Sequence, residues 1–147
     1  MFAIFSETNF PIVNCMFSRT VENNSDFSAF LQKWIDLYEN QKDFTFIFDT
    51  TNVEDVPIKY SFKMAMFIKE LKKRPYHYLQ QSIILVNSQK VKYLLDFIFL
   101  IQPPVAPVYI LYTEKVDNTQ KIYNILNGII GENVTQINPG RSFLPFL

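Results

Sequence analysis

Ser82-Ile83-Ile84-Leu85-Val86 is the stretch that decides the fold. Its apolar run has no polar alternation, so a strand here is buried on both faces, as strands are at the centre of a parallel sheet. Helical signals stand on either side. Downstream, Ser88 offers an N-cap, Gln89 to Ile101 follows as a helix, and Pro103-Pro104 stops it. Upstream, Pro75 ends a second helical stretch. A buried strand between two helices implies right-handed crossovers within one parallel sheet.

Working towards the N-terminus, that second helix carries an apolar stripe of Ile58, Phe62, Ala65, Ile68 and Leu71. Asp55 or Val56 is its expected cap, with Pro57 in the first turn. Lys69, Lys72, Lys73 and Arg74 fill its end, where positive charge suits the helix dipole. Before it, Phe44-Thr45-Phe46-Ile47-Phe48 is a strand closed by Asp49-Thr50-Thr51-Asn52. Phe27, Phe30, Leu31, Trp34 and Leu37 recur at helical spacing behind the capping group Asn23-Asn24-Ser25. Phe2 to Phe5 and Ile12 to Phe17 are short strands joined by the turn Ser6-Glu7-Thr8-Asn9.

Towards the C-terminus, Val108 to Tyr112 is a strand, Asp117 to Asn127 a helix closed by Gly128, and Val134 to Ile137 a last short strand. Residues 138–147 form a tail whose apolar end, Phe143-Leu144-Pro145-Phe146-Leu147, is expected to dock on the body. The order is β-β-α-β-α-β-α-β-α before that last strand. It predicts one α/β domain over residues 1–147 with a largely parallel sheet.

Composition bounds the function. The 147 residues are 48% hydrophobic and 16% aromatic, with 15 Phe and 8 Tyr, so an ordered core needs no disulfide or metal. Either that core is unusually aromatic or apolar surface is reserved for a ligand or partner. The 14 basic and 14 acidic residues cancel, which argues against nucleic-acid binding and leaves self-association unopposed. The single cysteine, Cys15, allows no intrachain disulfide and fits a reducing compartment. No secretory leader and no membrane-length apolar run is legible; the longest, Tyr93 to Ile101, contains Asp96. The expectation is a soluble, cytoplasmic protein.

Two segments resemble the SpoIIAA-like fold, that of STAS domains and of the core of Sec14 (CRAL-TRIO) lipid-binding domains. Phe44 to Asp55 is similar to the strand and loop that precede the regulatory helix of STAS domains. Pro75-Tyr76, through Ile83-Ile84-Leu85-Val86-Asn87, to Ile101-Gln102-Pro103 is similar to a Sec14 pattern: a Tyr-Pro-type start, a strand ending in Val-Asn, and a helix ending before proline. Together they cover roughly half the chain. The resemblance implies a binding module. Where STAS regulators place a phosphorylatable Ser after Asp, this chain has Asp55-Val56, so that switch is missing. The length suits a STAS-sized domain rather than a complete lipid carrier.

No catalytic constellation stands out. His77 is the only histidine, Cys15 falls in a core strand, and neither a phosphate loop nor a transition-metal ligand set is present; no cofactor is expected. Asp49 and Asp55 flank a loop at the C-terminal end of a strand, where α/β sheets bind ligands, but a turn residue and a helix cap are the favoured explanation of the pair. The helix with Val91, Leu94, Leu95, Phe97, Ile98, Phe99, Leu100 and Ile101 is apolar almost all round, so the tail, a second subunit, another protein or a lipid must cover its outer side.

The leading expectation is therefore a non-enzymatic protein-interaction module or homodimer of STAS-like type. It would bind through Asp49, Thr50, Thr51, Asp55, Val56, Leu95 and Phe99, with Ser61 a further polar contact. The alternative is a lipid or small apolar-ligand binder of Sec14 type, with Phe62, Met66, Phe97 and Ile101 as cavity wall.

Overall fold

Each strand of the expected pattern finds its neighbour in chain order. The computed structural model describes residues 1–114 and 117–140. Among these, the elements are β1 (Ala3–Ser6), β2 (Ile12–Phe17), α1 (Asn24–Tyr38), β3 (Phe44–Asp49), α2 (Lys59–Lys72), β4 (Leu79–Val86), α3 (Gln89–Ile101), β5 (Val108–Tyr112), α4 (Thr119–Leu126) and β6 (Val134–Ile137). They build a six-stranded sheet in the order β1-β2-β3-β4-β5-β6. Strands β2 to β5 run parallel, while β1 and β6 pair antiparallel at the edges.

Sequential order has a consequence for layering. When successive right-handed crossovers all step the same way across the sheet, their helices land on one face. One core accordingly joins α1 (Phe27, Phe30, Trp34), α2 (Tyr60, Leu71) and α3 (Val91) to alternate strand residues: Val13 and Cys15, Phe46 and Phe48, Ile84 and Val86, Val108 and Ile110. On the opposite face, Ile47, Ile83, Leu85 and Leu111 pack against Ile122 and Ile125 of the short α4. Residues 82–86 are buried throughout, as a central strand requires. The first core is strongly aromatic. Trp34 lies edge-on to Phe46 at 4.9 Å, and Phe46 contacts Phe48 at 4.5 Å and Phe44 at 5.1 Å.

Local signals hold at several ends. The Asn23 side chain accepts from the Asp26 backbone N–H at 2.9 Å, and Ser88 from Val91 at 3.1 Å, so α1 and α3 are capped as expected. Gly128 takes φ +81° just beyond α4, a conformation that favours glycine. The start of α2 differs. Neither Asp55 nor Val56 caps it; it begins at Lys59 after Ile58, with no side-chain cap. Pro57 lies in a preceding turn, its carbonyl accepting from Tyr60 N–H at 3.0 Å. The buried stripe is Tyr60, Ser61, Ala65, Ile68 and Leu71. Phe62 sits one 100° step beyond Ser61, which carries it out to 50% exposure, and Ile58 is exposed too.

On α3, Val91, Ile98 and Ile101 are buried, while Tyr93 and Leu100 are 64% and 58% exposed. The apolar segment expected to dock, Phe143 to Leu147, lies outside the described residues. No helix among the described residues is long and apolar enough to cross a membrane.

Candidate functional site

The helix layer does not close tightly on the sheet. Between them lies a cavity of about 140 Å³. Its floor is the helix-side face of the sheet (Phe17, Phe48, Ile84, Val108) and its roof comes from α1 (Phe30, Trp34), α2 (Tyr60, Met64, Ile68) and α3 (Leu95, Ile98, Phe99). The reason is visible in the sequence order. Three helices laid side by side on one face must cover the sheet with a mixture of large rings and short side chains, and Ser61, Ser82, Val53 and Ala106 leave room where the rings do not meet.

The lining is almost wholly apolar, and its polar groups are therefore informative. Thr50 is buried and donates its hydroxyl to the Leu85 carbonyl at 2.6 Å, so it is satisfied within the chain. Ser61 is 1% exposed, lines the cavity, and its Oγ has no partner among the described residues. An unpaired buried hydroxyl costs on the order of 1–3 kcal/mol. The Trp34 indole nitrogen and the Tyr38 hydroxyl, one helical turn apart, are further buried polar atoms of α1. Burial raises the Tyr38 pKa, while the Trp34 N–H and the Arg74 charge pull it back.

A second, open groove of about 320 Å³ adjoins the cavity. Val53, Val56, Val91 and Leu94 line both spaces and stand between them. The groove is completed by Ile58, Tyr93 and Phe97, with Glu54, Asp55 and Lys90 on its rim. The segment carrying Val53 to Ile58 lacks helix and strand. It is held by backbone bonds from Glu54 and Asp55 to the Arg19 carbonyl at 2.9 and 3.2 Å, and by ion pairs Arg19–Glu54 at 2.9 Å and Lys90–Asp55 at 3.2 Å. The arrangement lies at the C-terminal ends of β3 and β4, where α/β sheets bind ligands.

The residues singled out from sequence are distributed around this site. Asp49 accepts from the Thr51 backbone N–H and hydroxyl at 2.9 and 2.6 Å, a local turn that occupies the pair. Asp55 sits on the groove rim, Val56 between groove and cavity, and Leu95 and Phe99 in the cavity wall. Phe97 lines the groove and packs edge-on against Phe62 at 5.4 Å. Phe62 and Met66 point outward, and Ile101 is buried away from the lining. Trp34, Met64, Ser82 and Ile98 belong to the wall without having been singled out. Ser82 carried the one usable signal, a hydroxyl opening an apolar strand.

His77 is exposed, and Cys15 is buried with its thiol pushed up by desolvation, the reverse of an activated nucleophile. No cluster of three or more His, Cys, Asp or Glu suited to a metal ion occurs among the described residues. The chain matches no protein-family model, no curated protein and no solved structure.

Proposed function

We propose that this chain is a non-enzymatic binding protein that takes a small apolar molecule, or the apolar end of a larger one, between its sheet and its helices. The observation that carries this reading is the cavity of about 140 Å³ whose wall includes the Ser61 hydroxyl, without a partner among the described residues. A dry apolar cavity of roughly 150 Å³ is large enough to hold benzene. A ligand there restores the dispersion contacts that the lining lacks, and a polar atom on it satisfies Ser61. The element order that resembles STAS and Sec14-type domains supports a binding use of the scaffold.

Trp34 is the sole tryptophan and lines the cavity, so it reports occupancy directly. A neutral brominated chain, 8-bromooctanol, should quench Trp34 saturably, and filling the cavity with Ala106→Leu or Val56→Phe should abolish the quenching in a variant that keeps its circular dichroism. Quenching that rises linearly without saturating, or that both folded variants retain, would refute the reading.

A second reading, an interaction module that pairs with another copy of itself, is favoured by Ile58, Phe62, Tyr93 and Leu100, all at least half exposed on or beside α2 and α3. Zero net charge does not oppose such pairing. Light scattering distinguishes it: a dimer that Leu100→Asp converts to a folded monomer supports pairing, and a monomer at high concentration removes it.

A further inference from the structure

We infer that the groove beside the cavity receives an anionic head group, and that the ligand is a single-chain amphiphile whose tail fills the cavity while its carboxylate or phosphate binds Lys90. This rests on the apolar-ligand reading and adds the head-group chemistry and its position. The first observation is continuity. Val53, Val56, Val91 and Leu94 line both the cavity and the groove. An extended molecule therefore passes from one to the other when Val53 and Val56, on the irregular segment, give way.

The second observation is the sign of the fixed charge. The groove is bounded by two helix starts: Ile58 is the N-cap of α2, and Lys90 lies in the first turn of α3. Neither first turn contains an acidic residue. Helix N-termini carry partial positive charge, and α3 adds the Lys90 ammonium to it. The carboxylates at the rim, Glu54 and Asp55, come instead from the irregular segment. Arg19 already neutralises Glu54 at 2.9 Å. Asp55 occupies Lys90 at 3.2 Å, in the place a ligand carboxylate would take. Exposed pairs of this kind hold by about 1 kcal/mol or less, so an incoming anion exchanges with Asp55 at little cost. Release of Asp55 opens the Lys90 ammonium to the ligand, while the backbone bonds to the Arg19 carbonyl keep the segment in place.

The test compares 8-bromooctanoate with 8-bromooctanol and 8-bromooctylamine at pH 7.5, below their aggregation limits, with Trp34 quenching as the readout in wild type, Lys90→Ala and Asp55→Asn. The carboxylate should bind about threefold more tightly than the alcohol, and the amine most weakly. Lys90→Ala should erase the preference for the carboxylate and leave the alcohol unchanged. Asp55→Asn should tighten carboxylate binding severalfold. Equal binding of alcohol and carboxylate, a preference for the amine, or a carboxylate preference that survives Lys90→Ala overturns the head-group assignment and leaves the cavity reading standing. Failure of all three chains to quench saturably sinks both.

Discussion

Replacing Ser61 by alanine should make the ligand-free protein more stable, which is the opposite of what most substitutions at a buried residue do. Ser61 is 1% exposed and its hydroxyl has no partner among the described residues. Removing an unsatisfied buried hydroxyl relieves on the order of 1 kcal/mol or more. Alanine in the first helical turn of α2 adds a few tenths of a kcal/mol in propensity. The loss of one oxygen enlarges a cavity that is already open, which offsets part of this gain. The net expectation is about 1–2 kcal/mol of stabilisation. For 147 residues, at about 2.1 cal/mol/K each, the unfolding entropy is roughly 0.3 kcal/mol/K, so Tm should rise by about 3–6 °C. Urea unfolding followed by Trp34 fluorescence, on protein stripped of bound organics, measures it. The same variant should bind a ligand that hydrogen-bonds Ser61 less tightly. A destabilisation of 1 kcal/mol or more would show that the hydroxyl is satisfied in the empty protein, and the argument that the cavity awaits a polar atom would fail.

Two further outcomes follow from the core. Phe46 is fully buried among Phe5, Trp34, Phe44 and Phe48, so Phe46→Ala should cost about 3–5 kcal/mol and lower the urea midpoint by about 2 M; a loss under 1 kcal/mol would mean that the aromatic cluster is not packed as described. Burial raises the Cys15 thiol pKa, so the folded chain keeps its proton while the unfolded chain loses it above pH about 8.5; stability is fully present below that pH and falls above it. Cys15→Ala should flatten the decline between pH 8 and 10 without removing the part due to Tyr38, whose pKa burial also raises, and an unchanged slope would count against a desolvated thiol.

Much of the architecture was legible because its signals are local. The unbroken apolar run at Ile83 to Val86 required burial on both faces, and Asn23 and Ser88 marked helix starts that the chain uses. The start of α2 was not legible in this way. Asp55 and Pro57 carry the expected capping chemistry, but Asp55 is drawn to Lys90, thirty-five positions away, and Pro57 closes a turn instead. That competition depends on where α3 lies, which no local pattern states. The same holds for the cavity. Phe62 and Met66 share an apolar sequence pattern with Met64 and Ile68, yet each lies two residues, or about 200° around the helix, from the one that faces the sheet.

The layering explains why a void forms on the helix side in particular. With three parallel crossovers stepping one way, α1, α2 and α3 share one face of the sheet and must meet one another as well as the strands. Helix pairs pack 8–10 Å apart according to the side chains between them. Large side chains such as Phe30 and Trp34 in α1 and Phe99 in α3 meet the sheet beside the short side chains of Ser61 and Ser82, which leave space between the layers. Among the described residues the opposite face carries one short helix over Ile47, Ile83, Leu85 and Leu111, and faces no such conflict. An aromatic core on one face and aliphatic packing on the other is then a division of labour: rigid rings prop the cavity open, and the aliphatic side anchors the sheet that forms its floor.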